Sequence, residues 1–157
     1  MIHIDKFSIG GTAAIITSMG LIAGLTQGYN ARASIITGLL IVAIADNISD
    51  SFSIHIYKES QGSSRREVNI STFGNFMIRL LTVLTFICIV LLFPPTAAFI
   101  ISSVWGLVLL TMLSYIIAKN RGTRLLREIF WHLTVALLVI ICSKLLGTFI
   151  VKTVAHS

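Results

Sequence analysis

Two aspartates stand inside an otherwise apolar stretch, Ala45-Asp46-Asn47-Ile48-Ser49-Asp50-Ser51-Phe52-Ser53. They are four residues apart, so on a helix they share one face. At about 100° per residue, Ser49, Ser53 and Tyr57 fall on that face, Asn47 and Ser51 lie to one side, and His55 is nearly opposite Asp46. Two carboxylates on adjacent turns repel when both are ionised. In a desolvated site one of them keeps its proton unless a cation is present. Hard oxygen ligands suit a proton or a divalent cation. The pattern therefore points to a cation site with Asp46 as central ligand or proton carrier and Asp50 as a second ligand. Asn47 and Ser49 would be auxiliary. Met19, in Thr17-Ser18-Met19-Gly20, adds a soft thioether that suits a transition metal. The competing readings are structural. Both carboxylates can hydrogen-bond neighbouring helices, the lower one can reach headgroup water, and Met19 can simply fill a gap. His55 and His132 read as interface residues.

The composition says where such a stripe must lie. The chain has 157 residues, 55% of them hydrophobic, and only 11% are charged. Soluble domains carry about 25% charged residues. A chain this apolar cannot clothe itself for water, which excludes a soluble enzyme, a disordered tail and a nucleic-acid-binding domain. The net charge of +6 comes without a basic-aromatic patch for nucleic acid. The length bounds the chain to one domain. Cys88 and Cys142 both sit in long apolar runs with no metal-ligand spacing, and read as packing or lipid-facing residues.

A bilayer core about 30 Å thick requires about 20 mostly apolar residues per spanning helix. Five segments qualify, at about residues 7–26, 34–57, 76–93, 96–118 and 129–151. The expected fold is all-α: a polytopic integral membrane protein of five helices in a single transmembrane domain. The first segment is too long for a signal-peptide core, and Asp5 stands where a basic region belongs. Residues 58–72 read as a solvated linker around Gly62-Ser63-Ser64-Arg65-Arg66. Pro94-Pro95 reads as a tight turn.

Lys6, Lys58, Arg65, Arg66, Arg79, Lys119, Arg121, Arg124 and Arg127 fall on one side of this topology, against Arg32 and Lys152 on the other. By the positive-inside rule the N-terminus is cytoplasmic and the C-terminus outside. Lys144 is expected to snorkel outward. Asp46 then lies about 18 Å below the outer end of its helix and Asp50 about 24 Å, at about 1.5 Å per residue. The polar face opens toward the cytoplasm. Each Asp costs about 2.5–3.5 kcal/mol at a helix centre, so such residues face a cavity, a bundle interior or a partner.

Nothing supplies an enzyme's machinery. There is no G-x-S-x-G or H-E-x-x-H motif and no nucleophile with an adjacent base. No resident cofactor is implied. Gly20-Leu-Ile-Ala-Gly24 is a GxxxG, which permits close helix approach but needs a partner helix. Five helices are few for enclosing a pathway, and a homodimer with the pathway on its two-fold axis answers that.

The chain resembles the vacuolar iron transporter family of five-helix membrane proteins. The resemblance spans essentially the whole sequence. Ile15-Ile16-Thr17-Ser18-Met19-Gly20-Leu21-Ile22-Ala23-Gly24 is similar to the family's Asp-Gly-Leu-Val-Ser-Thr-Phe-Gly-Leu-Val-Ala-Gly from its third position onward. Ser49-Asp50-Ser51-Phe52-Ser53 falls on the family's Gly-Glu-Tyr-x-Ser, and Asp46 falls on its membrane Met. Arg124-Leu-Leu-Arg127, leading into an apolar run that ends Leu146-Gly147, is also similar. The resemblance implies proton-coupled export of Fe²⁺ or Mn²⁺ from the cytoplasm by a homodimer with its pathway between subunits; the expected location is the cell (inner) membrane. Ala13 and Ala14 stand where the family has its helix-one Asp-Gly, and the family's Glu-rich cytoplasmic helices have no counterpart. A non-transporting scaffold of the same fold, or a transporter of another cation or small solute, are the other readings.

Overall fold

The computed structural model describes residues 5–154, with side chains for 10–120 and 122–154. Its order is helix after helix: α1 (Asp5–Leu25), α2 (Ala31–Ser60), α3 (Arg65–Leu92), α4 (Pro95–Arg121) and α5 (Leu125–Val154). No strand occurs among the described residues. Four of these, α2 to α5, are long and apolar enough to cross a membrane. The apolar part of α1 among the described residues is shorter, Gly10–Leu25.

That shorter helix is the hub. It packs against all four others, while α5 packs mainly on α1 and α4 among the described residues. Ala14, Ile15, Met19, Ile22 and Ala23 of α1 are buried on several sides. Its small residues explain why a single rod can serve so many neighbours. An added Cβ on Gly20 would stand 2.8 Å from Val139, and one on Gly24 would stand 3.2 Å from the Ser143 carbonyl. A Cβ on Gly147 would overlap the Gly24 carbonyl outright. The GxxxG of α1 therefore finds its partner within the chain, on the Ser143–Gly147 stretch of α5. The outer face of α5 exposes Leu138, Ile141, Leu145, Phe149 and Ile150 and carries little of the core.

The helix ends follow local chemistry. Pro95 opens α4 at a position where its missing N–H costs nothing, and Gly122 closes it in the left-handed region at φ 63°. The expected linker at 58–72 is mostly helical. α2 continues to Ser60, Gly62 turns the chain at φ 70°, and α3 starts at Arg65 rather than at 76. The reason is an N-cap: Ser64 accepts from the Glu67 N–H at 3.3 Å, the start of a Ser-x-x-Glu capping box. Polarity there marks a helical hairpin projecting past the apolar spans, not an irregular loop. Similarly α5 runs from Leu125 to Val154, beyond the expected 129–151 at both ends.

One irregularity interrupts α2. Val42–Asp46 forms a π-helical turn, with the Asn47 N–H reaching back to the Val42 carbonyl. Such bulges cluster at functional sites. This one ends on Asp46.

Candidate charged site between α2 and α3

The two aspartates are brought to one cation, and the cation comes from α3. Arg79 donates from Nη1 to Asp50 Oδ2 at 3.0 Å and from Nη2 to Asp46 Oδ2. The Arg79 side chain is 4% exposed, while those of Asp46 and Asp50 are 51% and 40% exposed. The guanidinium is thus buried, and the carboxylates look outward from the bundle. Two carboxylates and one guanidinium leave one net negative charge when both acids are ionised. The planar fork of Arg is suited to bridging two acceptors in this way.

A hydrogen-bonded strip fixes the site to the helix pair. Asn75 donates from Nδ2 to Asp50 Oδ2 at 3.3 Å and to Ser51 Oγ at 3.2 Å. Ser51 in turn donates to Asn47 Oδ1 at 3.4 Å. Asn47 donates to the Phe76 carbonyl across the interface at 3.0 Å and to the Ala43 carbonyl within the bulge at 3.3 Å. Asn47, Ser51, Asn75 and Arg79 are all buried. On the other side, α1 approaches through Gly10, where a Cβ would overlap Asn75 Oδ1 and stand 3.3 Å from Arg79 Cγ. Two buried polar atoms here have no partner among the described residues, Asn75 Oδ1 and Arg79 Nε.

The other expected site residues divide. Asn47 is next to the pair, but its amide is engaged in joining α2 to α3. Ser49 is exposed on the outward face, as are Ser53 and Tyr57. Met19 lies elsewhere: it is 1% exposed, and a Cβ on Gly106 of α4 would overlap its sulfur. The thioether fills the gap that Gly106 leaves. Ala13 is partly buried on α1. His55 stacks on Phe52 at 6.3 Å and pairs with Thr72 at 3.4 Å. His132 pairs with the buried Ser114 at 2.7 Å. Lys144 holds its ammonium 5.1 Å from the centre of the Phe99 ring. Among the described residues no group of three or more His, Cys, Asp or Glu is placed to hold a metal ion.

Sequence reading missed Arg79 and Asn75 as site residues. It counted Arg79 toward the basic side of the membrane. The available signal was a lone cation inside an apolar helix, which pairs by preference with an intramembrane acid. Asn75 precedes Arg79 by four residues and so shares its face.

The fold and site define a class: an all-helical bundle, compatible with an integral membrane protein, that carries an acid–base–acid cluster on an outward helix face. No family model, curated protein or solved structure matches the chain.

Proposed function

We propose that the protein is a membrane transporter of a cation, and that Asp46 and Asp50 form the site through which the cation passes. One observation carries this: two half-open carboxylates share a single buried guanidinium, so one negative charge stays uncompensated when both are ionised. In a bilayer-crossing helix that charge attracts a cation or a proton and repels anions. At about 1.5 Å per residue, Asp46 lies about 22 Å from the start of α2 and Asp50 about 28 Å. The pair then sits in the cytoplasmic half of the bilayer if the N-terminus is cytoplasmic, as the Lys and Arg distribution argues. The fifth crossing is α1.

Fe²⁺ and Mn²⁺ are the first substrates to test, on the family resemblance and on the hard oxygen donors. The charge count also bears on assembly. One protomer's cluster balances a proton or a monovalent ion. Two clusters facing each other balance one divalent ion. The exposed side of α2 that carries Asp46 mixes Thr37, Ala45, Ser49 and Ser53 with Ile41, Ile44, Ile48 and Phe52. Small and polar side chains are favoured where helices meet in membranes. The outer face of α5 exposes Leu138, Ile141, Leu145, Phe149 and Ile150 and suits lipid. A homodimer through α2, with the clusters at its axis, meets both demands.

The scaffold reading has its own support, because the Arg79–Asp50 pair ties α2 to α3 and serves stability without any transport. Thermal melting of the detergent-purified full chain against Fe²⁺, Mn²⁺, Zn²⁺, Co²⁺, Mg²⁺ and Ca²⁺ separates the two. Binding at about 100 times the dissociation constant adds about 2.7 kcal/mol. The transporter reading expects a shift with a transition metal that Asp46→Asn removes. It also expects flux of that ion into vesicles. Asp46→Asn is preferred to the double neutralisation, since Asp50 then still pairs Arg79. No shift with any ion from pH 5 to 8 would leave the scaffold, or a different solute, in place of the metal.

A further inference from the structure

We infer that Arg79 is a tethered cation that competes with the incoming cation for Asp46, and that the Asn75 side-chain carbonyl is the second seat it takes on letting go. The inference rests on the cation-site reading above and names how that site is regulated. Three features carry it.

The first is asymmetry. Asp50 is held twice, by Arg79 and by Asn75, whereas Arg79 is the partner of Asp46 among the described residues. Asp46 is also the more exposed of the two. Asp46 is therefore the carboxylate a cation from outside the bundle can reach and release. The second is unused bonding capacity. Arg79 Nε and Asn75 Oδ1 are both buried and have no partner among the described residues, a donor and an acceptor on the same face of α3. A buried polar atom left unmade is costly, so this pair favours any rearrangement that joins guanidinium to carbonyl. The third is proximity. Because Gly10 has no side chain, Asn75 and Arg79 come together beside it, with Asn75 Cγ 2.9 Å and Arg79 Cγ 3.3 Å from its Cβ position. A guanidinium that swings off Asp46 keeps Asp50 and gains Asn75 Oδ1 without leaving the helix pair. Asp46 is then free to ligate. When the cation departs, the guanidinium returns and the carboxylate is never left bare.

Equilibrium binding of Mn²⁺ to the detergent-purified full chain tests this, using Arg79→Gln, Arg79→Lys, Asn75→Leu and the double variant Arg79→Gln/Asn75→Leu. Removing a unit charge a few ångströms from the ligand is expected to tighten Mn²⁺ binding by about tenfold or more in Arg79→Gln. Arg79→Lys keeps the charge but loses the fork, and is expected to tighten binding by less. It also carries the test if the Gln variant does not fold. Asn75→Leu removes the second seat and is expected to weaken binding by about tenfold, on the scale of one buried hydrogen bond. That loss should vanish in the double variant, where no guanidinium remains to be seated. If the wild type binds Mn²⁺ and neither Arg79 variant binds it more tightly, the competitor is wrong and the cation site stands. An Asn75→Leu effect that persists undiminished without Arg79 overturns the second seat. If the Arg79 variants bind and the wild type does not, the competitor stands and the transport reading falls. Binding by none of them overturns both.

Discussion

Arg79 Nη1 stands 3.0 Å from Asp50 Oδ2, on a side chain that is 4% exposed, and the same guanidinium also reaches Asp46. That single contact changes the meaning of the acidic stripe. The carboxylates are not two charges awaiting a partner. They already have one, and it satisfies half of them. Stability and function therefore respond differently to each member of the cluster.

Neutralising both acids, as Asp46→Asn/Asp50→Asn, leaves a buried guanidinium without a carboxylate. Stripping a buried charge of its partner is expected to cost about 3 kcal/mol or more. Adding Arg79→Met should recover much of that loss, because an unbranched apolar side chain fills part of the same space without a charge. Thermal melting of the double and triple variants checks it. A triple variant no more stable than the double would mean the guanidinium is not the source of the cost.

Helix α5 is held to α1 at a point with no space for a methyl group. Gly147→Ala would drive a Cβ into the Gly24 backbone carbonyl, which cannot rotate away as a side chain can. The helices must part, at an expected cost of about 1–3 kcal/mol. Cys142→Ala, on the exposed side of the same helix, should be near neutral and serves as the control. The readout is the melting temperature of each.

Met19→Leu should keep any cation response the wild type shows. The sulfur fills the gap over Gly106, and a swap of similar volume costs less than about 1.5 kcal/mol. Loss of transition-metal binding in Met19→Leu, with folding intact, would return the thioether to the ligand set.

Ser64→Ala removes the cap that starts α3 and should destabilise by about 1 kcal/mol. The loss should appear first as faster amide hydrogen exchange around Glu67 and Val68, at the tip of the hairpin. Unchanged exchange there would show that the hairpin is held by its packing alone.

The long apolar runs determine the helices, because about 20 such residues in a row have no stable alternative to a buried or membrane-spanning helix. Sequence also placed Asp46 and Asp50 on one face, with Ser49 and Ser53 beside them, from helical periodicity alone. Local polarity misled at 58–72, where a capped and charged helical hairpin reads much like a linker. Partners across helices were not legible. That Arg79 meets the aspartates, that Gly24 meets Gly147, and that Met19 lies over Gly106 depends on how the rods rotate and slide against each other. Small residues permit many such packings, and one is selected only when all the helices close around α1 together. Periodicity within one helix fixes which side chains share a face. Only the tertiary structure decides what that face meets, and here it met a cation already supplied by the chain.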